Sequence, residues 1–188
     1  MNYSATIDNL KGLLLLLVII GHVLLGTLQE NPIRYWIYAF HMPLFLFISG
    51  YLFKKESVQQ LSWVAFFQKY WHRMLKYWCL AFVVYTVISL RSSLTVISFL
   101  RSLINPYYHL WYVPSLFIMI CLVKGSTRLN LSKSLLWVIA GILFIIGSKG
   151  LFPDICRITF FVYFLLGMAL RNSLLAEMRP STMGGGFY

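Results

Sequence analysis

The stretch FHMPLFLFISGYLF, Phe40 to Phe53, decides how the chain folds. It is apolar enough to lie in lipid, yet it carries His41, Pro43, Ser49 and Gly50. A histidine in hydrocarbon is costly, and ionisable groups there usually face a bundle interior or a water-filled cavity. Proline is best tolerated in a first helical turn, so His41-Met42-Pro43 suggests an irregular start to a membrane helix. Ser49 and Gly50 allow close helix approach or an exposed backbone. Packing is the favoured role for Pro43, Ser49 and Gly50, whereas His41 suits packing and chemistry alike. The span is built to pack inside a bundle and to line something polar.

Outward from this stretch the same composition continues. With 60% hydrophobic and 11% charged residues, the chain is not an ordinary soluble domain. At about 20 apolar residues per crossing, its 188 residues hold about six spans. The apolar runs lie at about 12–28, 36–53, 77–97, 108–123, 134–149 and 157–170. The last two are short for full spans, so a re-entrant hairpin flanked by snorkelling Lys149 and Arg157 is the alternative there. The expected fold is an all-α integral membrane protein of about six transmembrane helices. Asp8 and Lys11 precede LLLLLVII with no clean small-residue cleavage site, so Leu13 to Leu28 reads as a retained first span. Residues 1–172 form the expected membrane domain. Residues 173–188, ending in RPSTMGGGFY, form a polar glycine-rich tail expected to be disordered.

The formal net charge of +11 invites a nucleic-acid partner, but the basic residues are spread between apolar runs. That spacing suits loops meeting anionic headgroups, not one face for nucleic-acid phosphates. Membrane lipid is the expected partner and nucleic acid is not. Lys54, Lys55, Lys69, Arg73 and Lys76 lie in the 54–76 loop, and Lys124, Arg128, Lys133, Arg171 and Arg179 fall on the same side. Arg34, Arg91, Arg101, Lys149 and Arg157 fall on the other. The positive-inside rule then places the N-terminus and the 54–76 loop in the cytoplasm. Cys79, Cys121 and Cys156 show neither CxxC nor His/Cys metal spacing and read as small buried hydrophobes, so no metal is expected.

Four stretches could carry chemistry. IDNLKGLLLLLVIIGHV sets Asp8 and Lys11 at the mouth of the first helix and His22 about 16 Å further along it, near mid-membrane. His22 could be a hydrogen bond between helices, or a neutral imidazole able to take a proton from a hydroxyl. In QKYWHRMLKYW, positions 69, 72, 73 and 76 share one face of an α-helix. That basic stripe is either a topology anchor with its aromatic belt or a clamp for phosphate oxygens. YYHLWYVPSLF opens the fourth span with His109, Trp111 and a Pro114 expected to kink it. Interfacial Tyr and Trp are usually anchors.

Together with RITFFVYFLLGMAL, Arg157 to Leu170, these stretches resemble membrane-bound acyltransferase family 3, and especially its fucose 4-O-acetylase-like branch. The Asp8–Lys11–Gly12–His22 spacing is similar to that family's opening signature, HMPLFLFISGYLF to its second-helix signature and HLWYVPSLF to its fourth. The resemblance covers about residues 6 to 172. It departs in three places: Lys11 stands for the usual arginine, Arg73-Met-Leu-Lys76 is a partial match to an Arg-x-x-Arg motif, and family members have about ten helices.

The resemblance implies an O-acyltransferase of the bacterial inner membrane. Such an enzyme moves an acyl group, usually acetyl from cytoplasmic acetyl-CoA, to a hydroxyl of a cell-surface carbohydrate. It implies His22 as the catalytic base, oriented by Asp8 or by another carboxylate outside the quoted stretches. Arg73, Lys76, Lys69 and Lys11 would be donor-binding residues, and His41, His109 and Trp111 acceptor-side candidates. Further copies of the chain are an added potential partner. The alternative is a truncated, non-catalytic bundle or a partner-dependent subunit. A transporter would also use midplane histidines, but no matched pair of broken helices is visible.

Overall fold

The computed structural model describes residues 5–24, 31–90, 95–106, 110–149 and 157–177, and among them there is helix and no strand. The α-helices are α1 (Ala5–Val23), α2 (Pro32–Leu52), α3 (Glu56–Gln59), α4 (Trp63–Tyr70), α5 (Lys76–Leu90), α6 (Val96–Ile104), α7 (Tyr112–Arg128), α8 (Lys133–Ser148) and α9 (Phe161–Glu177). A π-helical segment, Trp71–Leu75, joins α4 to α5, and a 3₁₀ turn, Ile158–Phe160, leads into α9. Among the described residues, Tyr35–Leu52 of α2 is the one stretch long and apolar enough to cross a membrane on length and composition. Lys133–Ser148 and Ile158–Leu174 are shorter apolar helices.

The chain divides into two units. The first comprises Met1–Phe53 and Tyr163–Tyr188. In it α1 packs along α2, with Gly21 pressed on Ile37 and Tyr38. Helices α2 and α9 cross at two glycines. A Cβ on Gly50 would stand 2.8 Å from the Phe164 carbonyl carbon, and one on Gly167 would stand 2.7 Å from the Tyr51 nitrogen. Both are closer than side-chain carbons come to backbone, so only glycine permits this approach. Beside the crossing Phe53 meets Phe164, and Arg171 donates from Nη1 to the Phe53 carbonyl just past the end of α2. A cation is favourable at that end of a helix. Leu46, Phe164 and Leu165 are buried in this unit.

The second unit is Lys54–Val162. Ser62 accepts from the Ala65 N–H and starts α4, and Ser132 accepts from the Leu135 N–H and starts α8. The core gathers around Phe66, whose ring lies 4.8 Å from Tyr70 and 5.8 Å from Phe117. Trp78 donates from Nε1 to the Leu110 carbonyl at 2.7 Å, and so ties α5 to the start of α7.

Several boundaries differ from those the sequence suggests. Pro43 lies inside α2, which starts eleven residues earlier at Pro32, so Pro32 takes the first-turn position. Pro114 sits in the first turn of α7, where a missing N–H costs nothing. The run at 77–97 is not one helix: Thr95 is extended and forms a capping box with Ser98 that opens α6. The 54–76 segment is folded as α3, α4 and the π segment. Residues 173–177 continue α9, and residues 178–188 lie outside the described residues.

Candidate functional site

In the first unit, Asp8 and Lys11 form an ion pair one turn apart, with Nζ 3.1 Å from the carboxylate. Because α1 is continuous from Ala5 to Val23, backbone positions follow from helix geometry. Lys11 and His22 are eleven positions apart, about 16 Å along the axis and roughly 20° around it, so they share a face. Asp8 lies about 21 Å along the axis from His22, far beyond side-chain reach. Asp8 pairs with Lys11 in its own turn. The His22 side chain lies outside what is described. Its neighbour Gly21 is buried against the Ile37–Tyr38 turn of α2.

That same turn holds His41. The ring is fully buried, lies edge-on to Tyr38 at 5.2 Å, and bonds through Nδ1 to the Ile37 carbonyl. A carbonyl only accepts, so Nδ1 is the protonated nitrogen of this bond. Of the histidines singled out from sequence, His41 bonds by its ring within the Ile37–Tyr38 turn, and His22 follows Gly21, which packs on that turn.

In the second unit, Lys69, Arg73 and Lys76 are all exposed on the rod formed by α4, the π segment and α5. The π segment changes their spacing. The Lys76 N–H bonds to the Trp71 carbonyl, five residues back, so Lys76 stands over Trp71. Lys69 lies in α4 and Arg73 inside the π segment, and Lys76 turns away from the face a regular helix would give it. π turns inside α-helices occur frequently at functional sites. Lys69 donates to the Ser57 carbonyl at 3.5 Å, and the Lys76 ammonium sits 4.8 Å from the centre of the Tyr77 ring. Burial pushes the Tyr70 phenol above its ordinary value, and the nearby Arg73 charge partly offsets this. Trp111 is 5% exposed, with Phe160 stacked at 5.7 Å and the Arg157 guanidinium 5.0 Å from its ring centre. His109 lies outside the described residues. Among the described residues, no three His, Cys, Asp or Glu side chains are grouped to hold a metal ion.

Residues 4–177 match the acyltransferase domain of the acyltransferase 3 family. The chain belongs to that family. It is similar to nodulation protein NolL of Sinorhizobium fredii, with 27% identity over 197 residues, 97% of this chain and 52% of that protein. It is also similar to nodulation protein NolL of Mesorhizobium japonicum, with 29% identity over 158 residues, 74% of this chain and 39% of that protein. The chain spans about half the length of the first relative and less of the second. No solved structure matches it.

One residue of this acyltransferase 3 chain escaped the sequence reading. Lys124 counts there as a loop charge, but α7 continues to Arg128 and carries Lys124 on the buried face it shares with Ile120 and Val123. Its Nζ donates to the Leu61 carbonyl at 2.6 Å and the Val58 carbonyl at 3.0 Å, beside the rings of Trp63 and Phe66. The available signal was its i, i+4 spacing from Ile120.

Proposed function

We propose that this protein is a membrane O-acyltransferase that moves an acetyl group from acetyl-CoA to a hydroxyl of a cell-surface carbohydrate. The observation that carries the proposal is the family match over residues 4–177. The apolar runs would be six spans of a bundle of about ten helices in the bacterial inner membrane, with the N-terminus in the cytoplasm beside the acyl-CoA pool. Lys69, Arg73 and Lys76, with Lys11, would hold the donor's phosphates. In support, Lys69, Arg73 and Lys76 are exposed and have no carboxylate partner among the described residues.

In the chemical step His22 takes the proton of the acceptor hydroxyl, and the oxygen attacks the thioester carbonyl. The new C–O bond forms as the C–S bond breaks. The CoA thiolate leaves and recovers the proton from the His22 imidazolium. A base positioned in this way contributes about 10²–10⁴-fold in rate. His41, His109 and Trp111 stand on the acceptor side of this scheme. His41 bonds through Nδ1 to the Ile37 carbonyl on the turn that meets α1, and its role in this scheme is to shape the acceptor pocket.

The donor half is tested with the protein in membrane vesicles supplied with radiolabelled acetyl-CoA. Arg73→Ala is expected to weaken acetyl-CoA binding about tenfold, the loss of one charge-assisted contact to phosphate, with the amount of inserted protein unchanged. Reduced insertion with intact donor affinity would make the basic segment a topology anchor instead.

A further inference from the structure

The C-terminal turn of α7 borders a concavity of about 250 Å³, lined by Gln59, Lys124, Thr127, Arg128 and Asn130. One water fills about 30 Å³, so this is room for a small group with several waters. All five lining residues are polar, two are cationic and none is acidic. Lys124 is 5% exposed and has no carboxylate partner among the described residues; two peptide carbonyls and two aromatic faces compensate its charge in part. Arg128, one turn on, is exposed and makes no hydrogen bond or ion pair among the described residues. The chain then turns back through Asn130 at φ 51°, where the Leu131 N–H bonds to the Ser126 carbonyl at 2.9 Å. That turn sets the Asn130 amide at the rim.

Two forces compete at this spot. The C-terminus of α7 carries roughly half a negative charge, which disfavours an anion. Two full cations within one turn exceed it. Nor does the surrounding sequence neutralise them, because Glu56 is the sole carboxylate in residues 54–76 and 124–133 together.

We propose that this concavity is a phosphate-binding site, distinct from the basic segment at Lys69–Lys76. Arg128 supplies the planar fork that matches two phosphate oxygens, Lys124 a buried positive charge, and Gln59 and Asn130 amide donors at the edges. A phosphate carries up to two charges and three acceptor oxygens, which suits this set better than a carboxylate. The group has two chemical sources, a soluble phosphorylated molecule such as coenzyme A or the headgroup of an anionic phospholipid. The site does not depend on the acyl-transfer proposal, since binding is read without turnover.

The test uses the full chain. In neutral detergent it is titrated with coenzyme A by calorimetry, and in phosphatidylcholine nanodiscs carrying phosphatidylglycerol its retained lipid is read by native mass spectrometry. Arg128→Gln is expected to weaken one of these two probes about tenfold, with Gln59→Ala giving a smaller loss for the same probe. Lys133→Gln, an exposed neighbour outside the lining, is expected to change neither. A loss with coenzyme A identifies a soluble source, and a loss with phosphatidylglycerol a headgroup. If Arg128→Gln changes neither probe, or Lys133→Gln weakens one as much, the concavity is no site and diffuse surface charge accounts for the binding.

Discussion

Replacing Gly50 by alanine puts the crossing of α2 and α9 under direct test. The added carbon would stand 2.8 Å from the Phe164 carbonyl carbon and 3.0 Å from its Cα, whereas ordinary contact begins near 3.4 Å. Those atoms are backbone and cannot rotate aside, and the Phe164 carbonyl oxygen lies nearer still, so the helices must part by more than about 0.6 Å or bend. Overpacking of this kind costs about 1–3 kcal/mol. Alanine recovers at most about 1 kcal/mol through helix propensity, a gain the control below shares. The net change therefore runs from about zero to a loss of about 2 kcal/mol, and the loss relative to the control is about 1–3 kcal/mol. Gly167→Ala strikes the same crossing from the other helix. Once either substitution has parted the helices the second meets less resistance, so the double variant should lose less than the sum. Gly141→Ala is the control: its Cβ meets nothing within 4 Å, and it should be neutral or slightly stabilising. Unfolding in mixed micelles of increasing dodecyl sulfate, followed by tryptophan fluorescence, measures all four. A Gly50→Ala protein as stable as Gly141→Ala would refute the close crossing.

Two further outcomes are expected. The raised phenol of Tyr70 means that the folded state holds this proton more tightly than the unfolded one; its contribution is complete below the unfolded value near pH 10 and is lost as pH rises through the folded value. Tyr70→Phe should therefore lose stability less steeply than the parent above about pH 10 in alkaline unfolding curves, and parallel curves would count against burial as the cause. A cysteine at the exposed Gln60 should be labelled only by reagents that reach the cytoplasm and one at Gln29 only from outside, and the reverse pattern would break the inside-donor, outside-acceptor scheme.

How much of this was legible in the sequence varies with the range of the interaction. The helix over Phe40–Phe53 was legible, because length and apolar content are local. Gly50 could be read as a packing residue, but its partner Gly167 could not, since nothing local says which helix a glycine faces. Pro43 misled because a proline marks a helix start only when no better-placed one precedes it, and Pro32 does. The π segment at Trp71–Leu75 leaves no mark in the residue pattern, so the basic stripe was placed on a face that Lys76 leaves. Lys124 was hidden for a different reason: a charge at the end of an apolar run counts toward topology, and its two carbonyl partners lie more than sixty positions away.

The most direct test of acyl transfer by this protein is His22→Gln. Glutamine keeps much of the size and hydrogen-bonding capacity of histidine and removes its basicity. Transfer of radiolabelled acetyl from acetyl-CoA to carbohydrate in membrane vesicles is compared with the parent at matched protein level and matched donor binding. The account predicts a fall of at least about 100-fold with insertion and acetyl-CoA affinity unchanged. Near-parental transfer by His22→Gln would contradict it and leave His41 as the candidate base.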